Sequence, residues 1–116
     1  MNSKEEVLRD QIHNYLKTIV KRNDMELFRA GIYFLLNDDG NPVYIGKAKC
    51  LMRRLSKHYT DKRIIFNSFR YMRIDGDLYD YEMAFIKIFN PEYNIKGANG
   101  LGLTWALKKA ESLLLI

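Results

Sequence analysis

Apolar positions change their period several times along this chain, and each change predicts an element. Over residues 3–22, Val7, Leu8, Ile12, Tyr15, Leu16 and Ile19 recur at helical spacing. Ser3 stands at the cap position with Glu5 and Glu6 behind it, so an amphipathic helix is expected there, followed by a connection over 23–30. GIYFLL, beginning at Gly31, predicts a strand, NDDG a turn, and PVYIG a second strand. A basic helix is expected over 49–59 and a short helix around 61–66. Alternation over 69–74 predicts a third strand, closed by Asp75-Gly76-Asp77. Residues 78–89 predict an apolar helix stopped at Asn90-Pro91. A short extended piece over 93–96, a loop over 98–102 and a last helix over 104–114 complete the reading. Short strands among helices, with one tight hairpin, imply an α+β fold with a small antiparallel sheet.

Three placements within these elements suggest chemistry. Setting Tyr33 opposite Tyr44 leaves 37–40 as a four-residue hairpin loop and turns both tyrosines to one face. Ile32, Phe34, Val43 and Ile45 then form the core face. Gly31 and Gly46 lie on the tyrosine face and allow a group to approach the backbone. Two tyrosines alone also fit a cross-strand aromatic pair packed under a helix. On the basic helix, Leu51, Leu55, His58 and Tyr59 make the inward stripe, Arg54 sits on its flank, and Arg53 and Lys57 point away. In the apolar helix, Leu78, Tyr81, Phe85, Ile86, Ile88 and Phe89 form a broad arc, with Asp80 and Lys87 opposite. Glu82 falls inside the arc. A carboxylate buried there costs several kcal/mol unless it is protonated, paired with a cation such as Arg54, or bound to a divalent ion.

Composition narrows the classes. At 116 residues and 47% apolar, the chain holds one domain with a core. The single cysteine, Cys50, excludes an intrachain disulfide and a Cys-cluster zinc site. Its basic neighbours favour a thiolate, but no base or orienting group accompanies it, so it reads as structural. His13 and His58 lie too far apart to suggest a zinc pair, and no GxxxxGK loop is present. No apolar run approaches the ~18–20 residues of a membrane span, and the mixed-charge start is unlike a secretory signal. The expectation is a cytoplasmic or nucleoid-associated protein, neither secreted nor membrane-bound. Net charge is +5, and residues 44–60 carry Lys47, Lys49, Arg53, Arg54 and Lys57 without one acid. That run is the footprint a polyanion would use.

Together these residues resemble a known family. Gly31-Ile32-Tyr33 and, after ten intervening residues, Tyr44-Ile45-Gly46 are similar to the signature of the GIY-YIG endonuclease superfamily. Arg54 follows eight residues after Gly46, His58 four later, Glu82 sits on a downstream helix, and Asn94 closes the core. The resemblance spans 31–96, within a single domain that adds helical segments at 1–30 and 97–116. Lys47 and the short Glu82-to-Asn94 spacing are most similar to the nuclease module of the bacterial excision-repair incision enzyme. His58 departs toward the homing endonucleases, since the repair enzymes carry tyrosine there.

The resemblance implies a three-stranded antiparallel sheet flanked by helices and a metal-dependent hydrolysis of DNA phosphodiesters, with Mg²⁺ or Mn²⁺ as cofactor. Glu82 would hold the metal. Tyr33 would act as base or position water, and Tyr44 would hydrogen-bond beside it. Arg54 would stabilise phosphorane charge, and His58 would assist proton transfer or touch the phosphate. Lys47, Lys49, Arg53 and Lys57 would hold the DNA. Asn94, grouped with them, would brace the site rather than react. The alternative is a binding or assembly module that kept the fold and lost turnover. Few side chains remain for base readout, so little sequence specificity is expected. RNA stays open as a substrate, and so does a homodimer formed through the N-terminal helix or a partner subunit that supplies specificity.

Overall fold

The computed structural model describes residues 27–94 and 100–114; the helix expected over 3–22 lies outside them. Three strands, β1 (Gly31–Leu36), β2 (Pro42–Ala48) and β3 (Ser68–Arg73), form one antiparallel sheet in the order β2-β1-β3. Helix α1 (Leu51–Asp61) follows β2, and α2 (Leu78–Phe89) and α3 (Leu103–Leu114) follow β3. The α+β reading and the three-stranded sheet are as expected.

β1 is buried along its whole length because it is central and covered on both faces. On one face Ile32, Phe34, Ile45 and Met72 pack against Met83, Ala84, Phe85, Ile86 and Ile88 of α2 and Ala106, Leu107 and Ala110 of α3. Phe85 meets Phe34 edge to face at 5.3 Å between ring centroids. On the other face Tyr33, Leu35, Val43 and Tyr71 pack against Leu51 and Leu55 of α1.

The hairpin register differs from the one expected. Tyr33 pairs with Gly46, Phe34 with Ile45 and Leu35 with Tyr44, after which a bulge brings Leu36 to Pro42. The slip from the expected pairing is two residues, so both tyrosines keep their common face. Val43 is the extra residue of the bulge and turns to the tyrosine face instead of the core face with Ile45. The connection is correspondingly five residues long. It is held by the Asn37 side-chain carbonyl, which accepts from the N–H groups of Asp39 (2.9 Å) and Asn41 (3.0 Å), with Gly40 at φ +79°.

Other boundaries also moved. No helix forms around 61–66. Lys62 adopts a left-handed conformation that ends α1, and the Asp61 carboxylate accepts from the Arg63 backbone N–H at 3.1 Å, competing with a helical turn. Tyr59 is 52% exposed rather than inward. It lies beyond the sheet-facing stripe and packs against Phe66, tilted, and Phe69, edge-on, with centroids 4.9 and 6.5 Å away. The α2 limits match the expectation. Asn90, in the left-handed region, donates its N–H to the Ile86 carbonyl at 2.8 Å, and Pro91 follows. Residues 92–93 form a turn, where an extended piece was expected to start at 93; the rest of that piece, 95–96, lies outside the described residues.

Candidate active site

The site is built around the C-terminal half of β2. Tyr33 is fully buried, and its ring lies directly over Gly46, the residue it faces across the strands. A Cβ on Gly46 would enter that ring. Glycine is therefore required here because Tyr33 itself occupies the space. Gly31 is constrained differently, since a Cβ there would run into the Met72 carbonyl.

From this position the Tyr33 hydroxyl reaches the α1 stripe and hydrogen-bonds His58 Nε2 at 2.7 Å. Tyr44 completes a triangle of rings, 6.1 Å from Tyr33 and 5.2 Å from His58 between centroids. Burial, and then the neighbouring Tyr44, push the Tyr33 phenol well above the usual tyrosine range, while the Arg54 guanidinium pulls it back. Burial also holds His58 below its ordinary value. Asp61 opposes that shift, and the charges of Arg54, Arg63 and Lys57 reinforce it. A neutral imidazole protonated at Nδ1 leaves Nε2 to accept the Tyr33 O–H. Tyr33 and His58 thus form a hydrogen-bonded pair beside the fixed positive charge of Arg54.

Glu82 approaches from α2 on the opposite side of the sheet. It is 9% exposed among the apolar side chains of that helix. Its partner is Lys47 Nζ rather than Arg54, at 3.4 Å. Alternation along β2 places Lys47 on the Ile32 face and Gly46 on the tyrosine face, so successive residues of one strand join the two halves. Among the described residues no group of three or more His, Cys, Asp or Glu side chains gathers. From the described residues, then, an ion at Glu82 would have no more than two such side chains. That donor set fits Mg²⁺, which keeps several waters and takes one or two carboxylates together with substrate phosphate oxygens. A long contact to one half-exposed lysine leaves carboxylate oxygen capacity for such an ion.

The basic residues converge. Lys47, Lys49, Arg53, Arg54 and Lys57 line a single groove of about 570 Å³ with Cys50 and Leu78. Arg53 and Lys57 are exposed, as expected of residues pointing away from the inward stripe, and they share this wall with Arg54.

Asn94 does not line the groove. Its side-chain carbonyl accepts from Ile45 N–H at 2.8 Å and its amide donates to the Ile45 carbonyl at 2.9 Å. Tyr93 N–H donates to the Val43 carbonyl at 2.9 Å. The outer edge of β2 is thereby closed by a side-chain amide acting as a strand would. Sequence reasoning missed Tyr79, whose ring lies 5.6 Å from Lys47 Nζ. Its position three residues before Glu82 on α2 was the available signal.

The chain is similar to known proteins in this same region. Residues 29–109 match the family model described as the GIY-YIG catalytic domain. UvrABC system protein C of Porphyromonas gingivalis is 33% identical over 98 residues, covering 75% of this chain and 15% of that protein. The Petrotoga mobilis protein of the same name is 31% identical over 80 residues, covering 58% of this chain and 14% of its own length. This chain thus spans about a seventh of the length of the curated relatives it matches. Among solved structures, the GIY-YIG N-terminal endonuclease domain of UvrC from Thermotoga maritima, bound to its catalytic divalent cation, magnesium, aligns with a TM-score of 0.51 and 26% identity. That alignment covers 62% of this chain and 93% of the other. A tyrosine seated on the glycine of the facing strand, a buried glutamate and the match over 29–109 agree, and the chain belongs to the GIY-YIG catalytic domain family.

Proposed function

We propose that this chain is a divalent-metal-dependent endonuclease that hydrolyses DNA phosphodiester bonds. The observation that carries the reading is Glu82: a carboxylate buried on an apolar helix and weakly paired with Lys47, one of the five cations that wall the groove. The magnesium-bound structure of a relative's domain supports the same choice of ion. Glu82 would hold Mg²⁺ or Mn²⁺, which when bound polarises the scissile phosphate and lowers the pKa of a nearby water.

The chain's own residues supply the rest. Tyr33 orients the attacking water and takes its proton while giving its own to His58 Nε2 through the existing hydrogen bond. That transfer answers the difficulty that burial makes Tyr33 a reluctant acid. Tyr44 hydrogen-bonds beside it. Arg54 stabilises the charge that builds on the phosphorane oxygens. Lys47, Lys49, Arg53 and Lys57 hold the phosphates on either side, and Asn94 keeps β2 in register. With the groove built from charge, recognition follows backbone path and shape rather than sequence. A substrate on the nucleoid places the protein in the cytoplasm, and a second copy or a partner would add specificity.

The test is conversion of supercoiled plasmid to nicked and linear forms in Mg²⁺ or Mn²⁺, with EDTA as control. Metal-dependent cutting supports the reading. Salt-sensitive binding without cutting on plasmid, flap, branched and single-stranded DNA would leave a binding module and overturn it.

A further inference from the structure

Five large apolar side chains are exposed among the described residues: Phe28, Tyr59, Ile65, Tyr79 and Trp105. Scattered exposed hydrophobics are ordinary. Tyr59 is already satisfied by the rings of Phe66 and Phe69. Tyr79 differs in its neighbour. It is 61% exposed, and its ring lies 5.6 Å from Nζ of Lys47, a cation of the groove wall that also pairs with Glu82. It follows groove-lining Leu78 in the first turn of α2 and precedes Glu82 by three residues, on the same side of the helix. A flat aromatic surface therefore stands open beside the cations that would hold a phosphate.

We infer that Tyr79 stacks on an unpaired nucleobase next to the phosphate bound in this groove, so that DNA with an unstacked or single-stranded base there is the favoured substrate class. This inference rests on the nucleic-acid reading of the groove. The chemistry selects an unpaired base because bases inside a duplex have both π faces covered by their neighbours, whereas an unpaired base offers one to an aromatic side chain. Lys47, which lines the groove, attracts the ring from 5.6 Å and favours this placement, which lowers the entropy lost on stacking.

The test is fluorescence anisotropy in EDTA, so that no cutting intervenes. The full chain is titrated with a labelled oligothymidylate of about twelve nucleotides, an abasic deoxyribose-phosphate oligomer of the same length, and a duplex. Tyr79→Ala should weaken oligothymidylate binding about 5- to 100-fold and leave the abasic oligomer and the duplex within twofold. Tyr79→Trp should restore the affinity, and the salt dependence should stay unchanged because no phosphate contact is removed. Unchanged oligothymidylate affinity in Tyr79→Ala would overturn the inference. Equal losses on the abasic oligomer, or a shallower salt slope, would also overturn it by showing that Tyr79 acts only through the position of Lys47. The nuclease reading fails separately, through absence of metal-dependent plasmid cutting by the unaltered chain, which does not touch this comparison.

Discussion

In the proposed reaction Tyr33 and His58 would handle the proton, and Arg54 and Glu82 the charge. His58 in the fold lies below its ordinary value of 6.5, so it stays neutral where a free histidine is half charged, and becomes cationic only further down. Once charged, Nε2 donates rather than accepts, and the Tyr33 proton has nowhere to go. Cleavage should therefore be level through pH 7 and fall on an acid limb with its midpoint below 6.5. His58→Gln should erase that limb and lower the plateau by roughly 100-fold, as a pH–rate profile on one labelled substrate would show. The same linkage makes His58's stabilising contribution complete above about 6.5 and lost as pH falls through its lowered folded value. Arg54→Ala should slow single-turnover cleavage by roughly 10²–10³-fold, the loss associated with one transition-state charge contact. A loss confined to binding affinity would place Arg54 among the groove's phosphate holders instead.

At the scale of elements, the sheet is what sets these side chains. Gly46→Ala should drive Tyr33 off its seat and cost about 1–3 kcal/mol by overpacking, with a larger proportional loss of activity than of stability. Asn94→Ala removes both hydrogen bonds to Ile45 and should cost about 1–3 kcal/mol in thermal or chemical melts. The sequence carried the faces of the strands, Val43 excepted, and the place of Glu82, because both follow from periods of two and 3.6 that a single chain displays. It did not carry the hairpin register. The bulge at Val43 is fixed by a backbone partner fifty residues away, Tyr93, and by Asn37's local turn, neither of which periodicity records. The short helix expected at 61–66 failed for a similar reason, since one carboxylate, Asp61, captured a backbone N–H that a helix would have used. Tyr33's seat on Gly46 was legible only as an allowance for a close approach, because a pattern of small and large residues does not say which group fills the gap.

Over the whole molecule, charge and burial point to one end of β2. Five cations share a groove there while the opposite cavity, near the hairpin, is lined by Asp38, Asp39 and Glu92. Association with DNA should weaken steeply with salt, with a logarithmic slope of about 0.9 per phosphate contacted, and Lys57→Ala should reduce that slope by about one contact without altering the single-turnover rate at saturating protein. No described helix is long and apolar enough to cross a membrane. The central claim is that Glu82 holds a divalent ion at this groove. It is tested most directly by electron paramagnetic resonance titration of Mn²⁺ with the chain in the presence of duplex DNA. The account predicts one ion bound beyond those taken up by the DNA alone, lost in Glu82→Gln while the DNA stays bound. Equal Mn²⁺ occupancy in the two proteins would contradict it.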